Sequence, residues 1–113
     1  MEKTIKRAKK LLLTLGIAPN LKGYEYSAIA ISKLMNRSKG EKVSYCKLYD
    51  EVGLENYSTG ARVERTIRHA MTYAFNHNTK QWEKLLNYKL DSGIKVSKFL
   101  MLCAEKLMMN EGF

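Results

Sequence analysis

Apolar residues recur along most of this chain at steps of three and four, the spacing that places side chains on one face of an α-helix. Two early segments show it: Ile5, Ala8, Leu12 and Leu15, then Tyr24, Ala28, Ile31 and Met35. The pattern predicts helices near the start, over about 21–36, 44–53 and 59–77, in TKQWEKLLNY and in VSKFLMLCAEKLMMN. Only YKLDSGIKV carries a weak strand signal. The sequence therefore predicts an all-α domain of five or six helices.

The third and fourth of these helices are joined by a short polar turn. Ser44 is placed to cap the third helix, which we expect to end at Gly53. Ser58 or Thr59 then offers a side-chain oxygen to the first amides of the fourth helix. A helix, a tight turn and a second helix form a helix-turn-helix, which the sequence predicts over about 44–77.

The fourth helix has two chemically different faces. Its apolar stripe consists of Val63, Ile67, Ala70, Met71 and Ala74. Its other side carries cationic, hydrogen-bonding and aromatic side chains: Arg62, Arg65, Thr66, His69, Tyr73 and Asn76. Glu64, in the first turn, is the only acid on this helix and complements its dipole. This layout is typical of a recognition helix in a DNA major groove, although a solvated basic face has the same pattern.

Composition narrows the choice of partner. The chain has 113 residues, the size of a single domain, and 20 Lys and Arg against 11 Asp and Glu give a net charge of +9. This charge favours a polyanionic partner such as nucleic acid. Cys46 and Cys103 lack metal-ligand spacing, so we expect reduced thiols in a cytoplasmic protein. We interpret MEKTIKRAKKLLLTLGIAP as an amphipathic helix rather than a signal peptide, and expect no membrane partner.

Candidate chemistry outside the fourth helix is sparse. No nucleophile with a base, paired carboxylates or phosphate-binding glycine loop is visible, and His69 and His77 are too far apart to share a metal on one helix. We therefore expect no catalysis, no cofactor and no metal. Lys22 and Gly23 either receive a phosphate oxygen at the start of the second helix or form a junction that needs glycine for close packing. Trp82 is expected to anchor the core.

One family matches these motifs. STGARVERTIRHAMTYAF resembles the recognition helix in the C-terminal effector domain of the stage zero sporulation protein A family, and RVER.IRHA is the specific part. LGIAPNLKGYEY and FLMLCAEKL resemble the start and the closing helix of that domain, so the resemblance covers nearly the whole chain.

The resemblance implies about six helices, with the third and fourth as the helix-turn-helix, and binding of double-stranded promoter boxes, often as tandem dimers. It also implies a homodimer on DNA and contact with RNA polymerase. Arg62 and Glu64 match base-reading residues, Arg65 and Arg68 match residues that hold the backbone, and His69 matches a histidine of open role. The residues that we expect to make backbone or auxiliary contacts are Lys22, Ser58, Thr59, Arg65, Thr66, Arg68 and His69.

The chain departs from the family pattern in three ways. The turn between the motif helices is expected to be about four residues longer, and Ala61 replaces a serine, so the target sequence is not expected to be identical. There is no room for the receiver domain, which suggests an excised domain or a stand-alone regulator. Two other functions stay open: a helical interaction module that pairs with a full-length regulator through its last helix, and a nonspecific nucleic-acid binder.

Overall fold

The computed structural model describes residues 2–38, 40–87, 89 and 94–109. These residues form six α-helices and no strand: α1 Glu2–Thr14, α2 Lys22–Met35, α3 Tyr45–Glu55, α4 Gly60–His77, α5 Thr79–Leu86 and α6 Val96–Met109. The all-α prediction is thereby confirmed for the described part of the chain. Most of the segment with the weak strand signal, residues 88 and 90–93, lies outside the described residues.

The central helix of the fold is α2, which contacts α1, α3, α4 and α6. Ala28 and Ala30 are fully buried, and Ile31 is buried beside them. Small and apolar side chains around most of its circumference let several helices approach one helix closely. The position of α2 therefore fixes where α4 lies relative to the rest of the core.

Trp82 contacts segments that are far apart in the sequence. It is fully buried, and its Nε1 donates to the backbone oxygen of Leu15 at 2.8 Å. Its ring stacks on Phe99 with centroids 5.1 Å apart and meets Phe75 edge-on at 5.6 Å. The prediction that Trp82 anchors the core is confirmed, and its contacts join α5 to the ends of α1 and α4 and to α6.

Candidate nucleic-acid interface

The third helix begins as expected but ends later. The backbone amide of Lys47 donates to Ser44 Oγ at 3.4 Å, so Ser44 caps α3. The prediction that Gly53 ends this helix is wrong, because α3 continues to Glu55. Gly53 instead permits close packing: a Cβ there would lie 2.8 Å from the carbonyl carbon of Thr59.

Residues 56–59 form the turn between α3 and α4, a usual length for a helix-turn-helix. The predicted end of α3 at Gly53 had placed Leu54 in the turn, but Leu54 belongs to α3. The lengthening relative to the family's own turn stays a prediction. The amides of Asn56 and Ser58 both donate to the Gly53 carbonyl, at 3.0 and 2.8 Å. The second of these bonds closes a Schellman motif, which leaves Tyr57 in the left-handed region with φ 57°.

Two residues fix the start of α4. The backbone amide of Arg62 donates to Thr59 Oγ1 at 3.2 Å, so Thr59, rather than Ser58, is the cap. Gly60 lies directly against α3, where a Cβ would collide with the Asp50 carboxylate. The N-terminal turn of α4 is thus held both by its own cap and by the helix before it.

The start of α2 lies against the middle of α4. A Cβ on Gly23 would be 2.6 Å from the Ala70 Cβ and 2.8 Å from the Thr66 carbonyl oxygen, so glycine is needed there. The close-packing interpretation of this glycine is therefore confirmed. The same approach brings Lys22 beside Thr66 and His69.

The fourth helix divides into faces as its sequence pattern predicts. All five residues of the predicted apolar stripe are buried, together with Gly60 and Phe75. Arg62, Arg65, His69 and Tyr73 are exposed on the other side, and Thr66 is partly exposed. The exposed arc therefore presents cations, a histidine and a tyrosine to solvent along its length.

A groove with a volume of about 530 Å³ runs between this arc, the turn and the start of α2. Its lining residues are Lys22, Tyr26, Asn56, Tyr57, Ser58, Arg62, Arg65, Thr66 and His69. Three of these residues are Lys or Arg and none is acidic, so the groove attracts anions. Six of the nine are sequence-predicted site residues, which the fold brings together at one surface.

The structure does not bring Arg62 and Glu64 together. Two residues apart on a helix, at about 100° per residue, they project roughly 160° from each other. Arg62 lines the groove, whereas Glu64 lies on the edge of α4 that faces α3 and accepts a hydrogen bond from Arg68 Nη1 at 2.8 Å. Burial, with a smaller contribution from the Glu64 carboxylate, raises the pKa of Tyr49 in α3 to about 12.

Three lining residues were missed by the sequence analysis: Tyr26, Asn56 and Tyr57. Asn56 donates from Nδ2 to the Val52 carbonyl at 2.7 Å and so closes the end of α3. Asn56 and Tyr57 stand in the turn directly before the predicted recognition helix, and this position could have marked both as candidates. Tyr26 is buried in α2 and reaches the groove only through the tertiary fold, which no local pattern indicates.

Within the described residues, no group of three His, Cys, Asp or Glu side chains could hold a metal ion. None of the helices described has the length and apolar character needed to cross a membrane. Cys46 is exposed and Cys103 buried, and both thiols are free. Compared with known protein families, residues 8–107 of the chain match the model described as sporulation initiation factor Spo0A C terminal.

Proposed function

Because the chain belongs to the Spo0A C-terminal family, we propose that it is a sequence-specific transcription regulator that places α4 in the major groove of double-stranded DNA. The observation that carries this proposal is the groove beside α4, which is lined by Lys22, Arg62 and Arg65 and by no acidic side chain. A helix of this width fits the major groove, and arginines on its exposed arc bind phosphates and base edges.

The two edges of α4 support different contacts. On one edge, Arg62 is assigned to a guanine, whose O6 and N7 accept two hydrogen bonds from a guanidinium. On the other, Glu64 is assigned to the amino group of a cytosine. A recognition helix that reads bases from both edges spans more than one base pair, which is consistent with a short promoter box.

The remaining site residues are assigned to the DNA backbone. Lys22 and Arg65, which line the groove, are assigned to ion pairs with phosphates on that side of α4. Arg68 is assigned to a phosphate on the opposite edge of the helix. Ser58, Thr66 and His69 line the groove as hydrogen-bonding groups. Thr59 orients the first amides of α4 as their cap, since its hydroxyl oxygen accepts from the Arg62 backbone amide, and its hydroxyl hydrogen is assigned to a phosphate oxygen.

A fluorescence-anisotropy titration at near-physiological salt tests this function. It compares a duplex carrying the family's tandem promoter box with a scrambled duplex of the same length and composition. We expect a preference of a hundredfold or more for the box, and a log–log salt slope of about −0.9 per phosphate neutralised. Equal affinity for both duplexes would favour the nonspecific binder, and no binding would favour the interaction module.

Self-association is a separate proposal. Met108 and Met109 are exposed at the end of α6, where flexible apolar side chains suit a contact with a second copy on tandem boxes. Sedimentation of the protein alone and with one or two boxes distinguishes a dimer formed on DNA from one that exists without it.

A regulator of this kind acts on DNA in the cytoplasm, where we also propose its contact with RNA polymerase.

A further inference from the structure

Tyr57 has a backbone conformation that its side chain does not favour. With φ 57° it occupies the left-handed region, where glycine, and next asparagine, is the usual residue after a helix end. The hydrogen bond from Ser58 to Gly53 requires this conformation for the turn to close. If residue 57 served only to close the turn, glycine would do so with less backbone strain.

The Tyr57 side chain contributes nothing visible to the fold. Its relative exposure is 101%, and it forms no hydrogen bond or ring contact with any described residue. Residues held in sparsely populated backbone conformations cluster at functional sites. Here the strained residue projects a large aromatic ring with a hydrogen-bonding hydroxyl into solvent.

The position of this ring indicates what it binds. Tyr57 lines the groove together with Arg62 and Arg65, immediately before the N-terminal turn of α4. A ligand that follows this groove is anionic, and a tyrosine hydroxyl donates readily to phosphate oxygens. In helix-turn-helix complexes the first helix crosses the DNA backbone and the start of the recognition helix meets base edges, and Tyr57 lies in the turn between the two.

We infer that Tyr57 is a backbone-positioning contact, which donates its hydroxyl to a DNA phosphate and lays its ring along the neighbouring sugar. This inference rests on the proposed function. The contact fixes how deeply the start of α4 enters the DNA major groove, and it does so without reading a base. Because the phenol is neutral, it displaces no counterion, which distinguishes it from the arginines.

Two substitutions test the contact. Tyr57→Gly removes the side chain and relieves the backbone, so its melting temperature should equal or exceed that of the unchanged protein. Its affinity should nevertheless fall on the order of tenfold for box and scrambled duplexes alike, with the salt slope unchanged. Tyr57→Phe should lose about three- to tenfold, the contribution of one hydrogen bond.

Tyr45→Phe is the matched control, because it also removes one phenol hydroxyl, but Tyr45 lies at the start of α3, where its ring contacts that of Tyr49, and does not line the groove. It should bind as the unchanged protein does. Full affinity of Tyr57→Gly, in a protein that prefers the box, would overturn the inference and leave the proposed function intact. Failure of the unchanged protein to bind either duplex would overturn both.

Discussion

Arg68 donates from Nη1 to Oε1 of Glu64 at 2.8 Å, and the two residues are one turn apart on α4. Glutamate is the N-terminal partner, which is the favourable order for such a pair. Both side chains are partly exposed, so the pair stabilises the helix by only about 0.3–0.5 kcal/mol. Its larger effect is on orientation, because it holds the Glu64 carboxylate on the edge toward α3.

Replacing Glu64 with glutamine should separate affinity from specificity. The change removes a negative charge and releases Arg68, so binding to a scrambled duplex should tighten slightly. Binding to the box should weaken, with a loss of about 1–3 kcal/mol of discrimination at one base pair. Anisotropy titrations against duplexes changed at one base pair at a time measure both effects.

Glu2→Gln is the control for charge alone, because Glu2 is an exposed acid at the start of α1 and does not line the groove. Both variants raise the net charge by one. If the two variants bind every duplex with the same affinity, Glu64 does not read a base.

Truncation of Arg62 and truncation of Arg65 should change DNA binding in different ways, although both side chains line the groove. Arg62→Ala should cost about 1–3 kcal/mol on the box and relax the preference at one position. Arg65→Ala should weaken every duplex alike and flatten the salt slope by about one unit, because it removes a phosphate contact. Titrations over a series of salt concentrations resolve the two patterns.

Lys84→Ala on α5 controls for the general loss of a positive charge, since Lys84 is exposed and does not line the groove. Equal losses from Arg62→Ala and Arg65→Ala on every duplex would contradict the assignment of Arg62 to base reading.

The local sequence pattern was sufficient to predict most of the fold. The apolar stripe of α4 follows from helical spacing, and the Thr59 cap follows from the preference of helix starts for hydroxyl side chains. The separation of Arg62 from Glu64 also follows from about 100° per residue. The family resemblance implies that both residues read bases, and this geometry places their contacts on opposite edges of α4.

Tertiary contacts decided the features that local pattern missed. Glycine commonly ends helices, yet Gly53 lies inside α3 because the turn backbone packs against it. A tyrosine with positive φ is uncommon, and nothing beside Tyr57 in the sequence indicates it. Tyr26 joins the groove because α2 crosses α4, which the periodicity of α2 alone cannot reveal.

Tyr49 gives the stability of the protein a specific alkaline dependence. Its pKa is raised from the usual value of 10.0 to about 12, so the folded state favours the neutral phenol. Its contribution is fully present below about pH 10 and is lost as the pH rises toward 12. Denaturation of the unchanged protein and of Tyr49→Phe over this range should show the unchanged protein losing more stability.

The comparison with Tyr49→Phe is needed because burial also raises the pKa values of Tyr24, Tyr45 and Cys103, which titrate in both proteins. The effects of Tyr24 and Cys103 cancel in the difference between the two curves, whereas Tyr45, whose ring lies 6.3 Å from that of Tyr49, helps to raise the Tyr49 pKa and is part of the measured effect. Parallel loss of stability in the two proteins would show that the Tyr49 phenol ionises as easily in the folded state as in the unfolded state.

Gly53→Ala sets helix propensity against tertiary packing. Alanine is favoured over glycine inside a helix by about 1 kcal/mol. The new Cβ would, however, lie 2.8 Å from the Thr59 carbonyl carbon and 3.0 Å from the Ser58 carbonyl oxygen, and neither backbone atom can move unless the turn moves. We expect packing to dominate, with a net loss of about 1–3 kcal/mol in the free energy of unfolding.

Displacement of the turn should also shift Arg62 and Arg65, so affinity for box and scrambled duplexes should fall together. Urea denaturation and DNA titration of the same samples measure the two effects. The matched control is Leu54→Ala, because Leu54 is 82% exposed on the same helix, and its substitution should change stability by no more than about 0.5 kcal/mol. A Gly53→Ala protein that is more stable than its parent would mean that propensity outweighs the close approach of α3 to the turn.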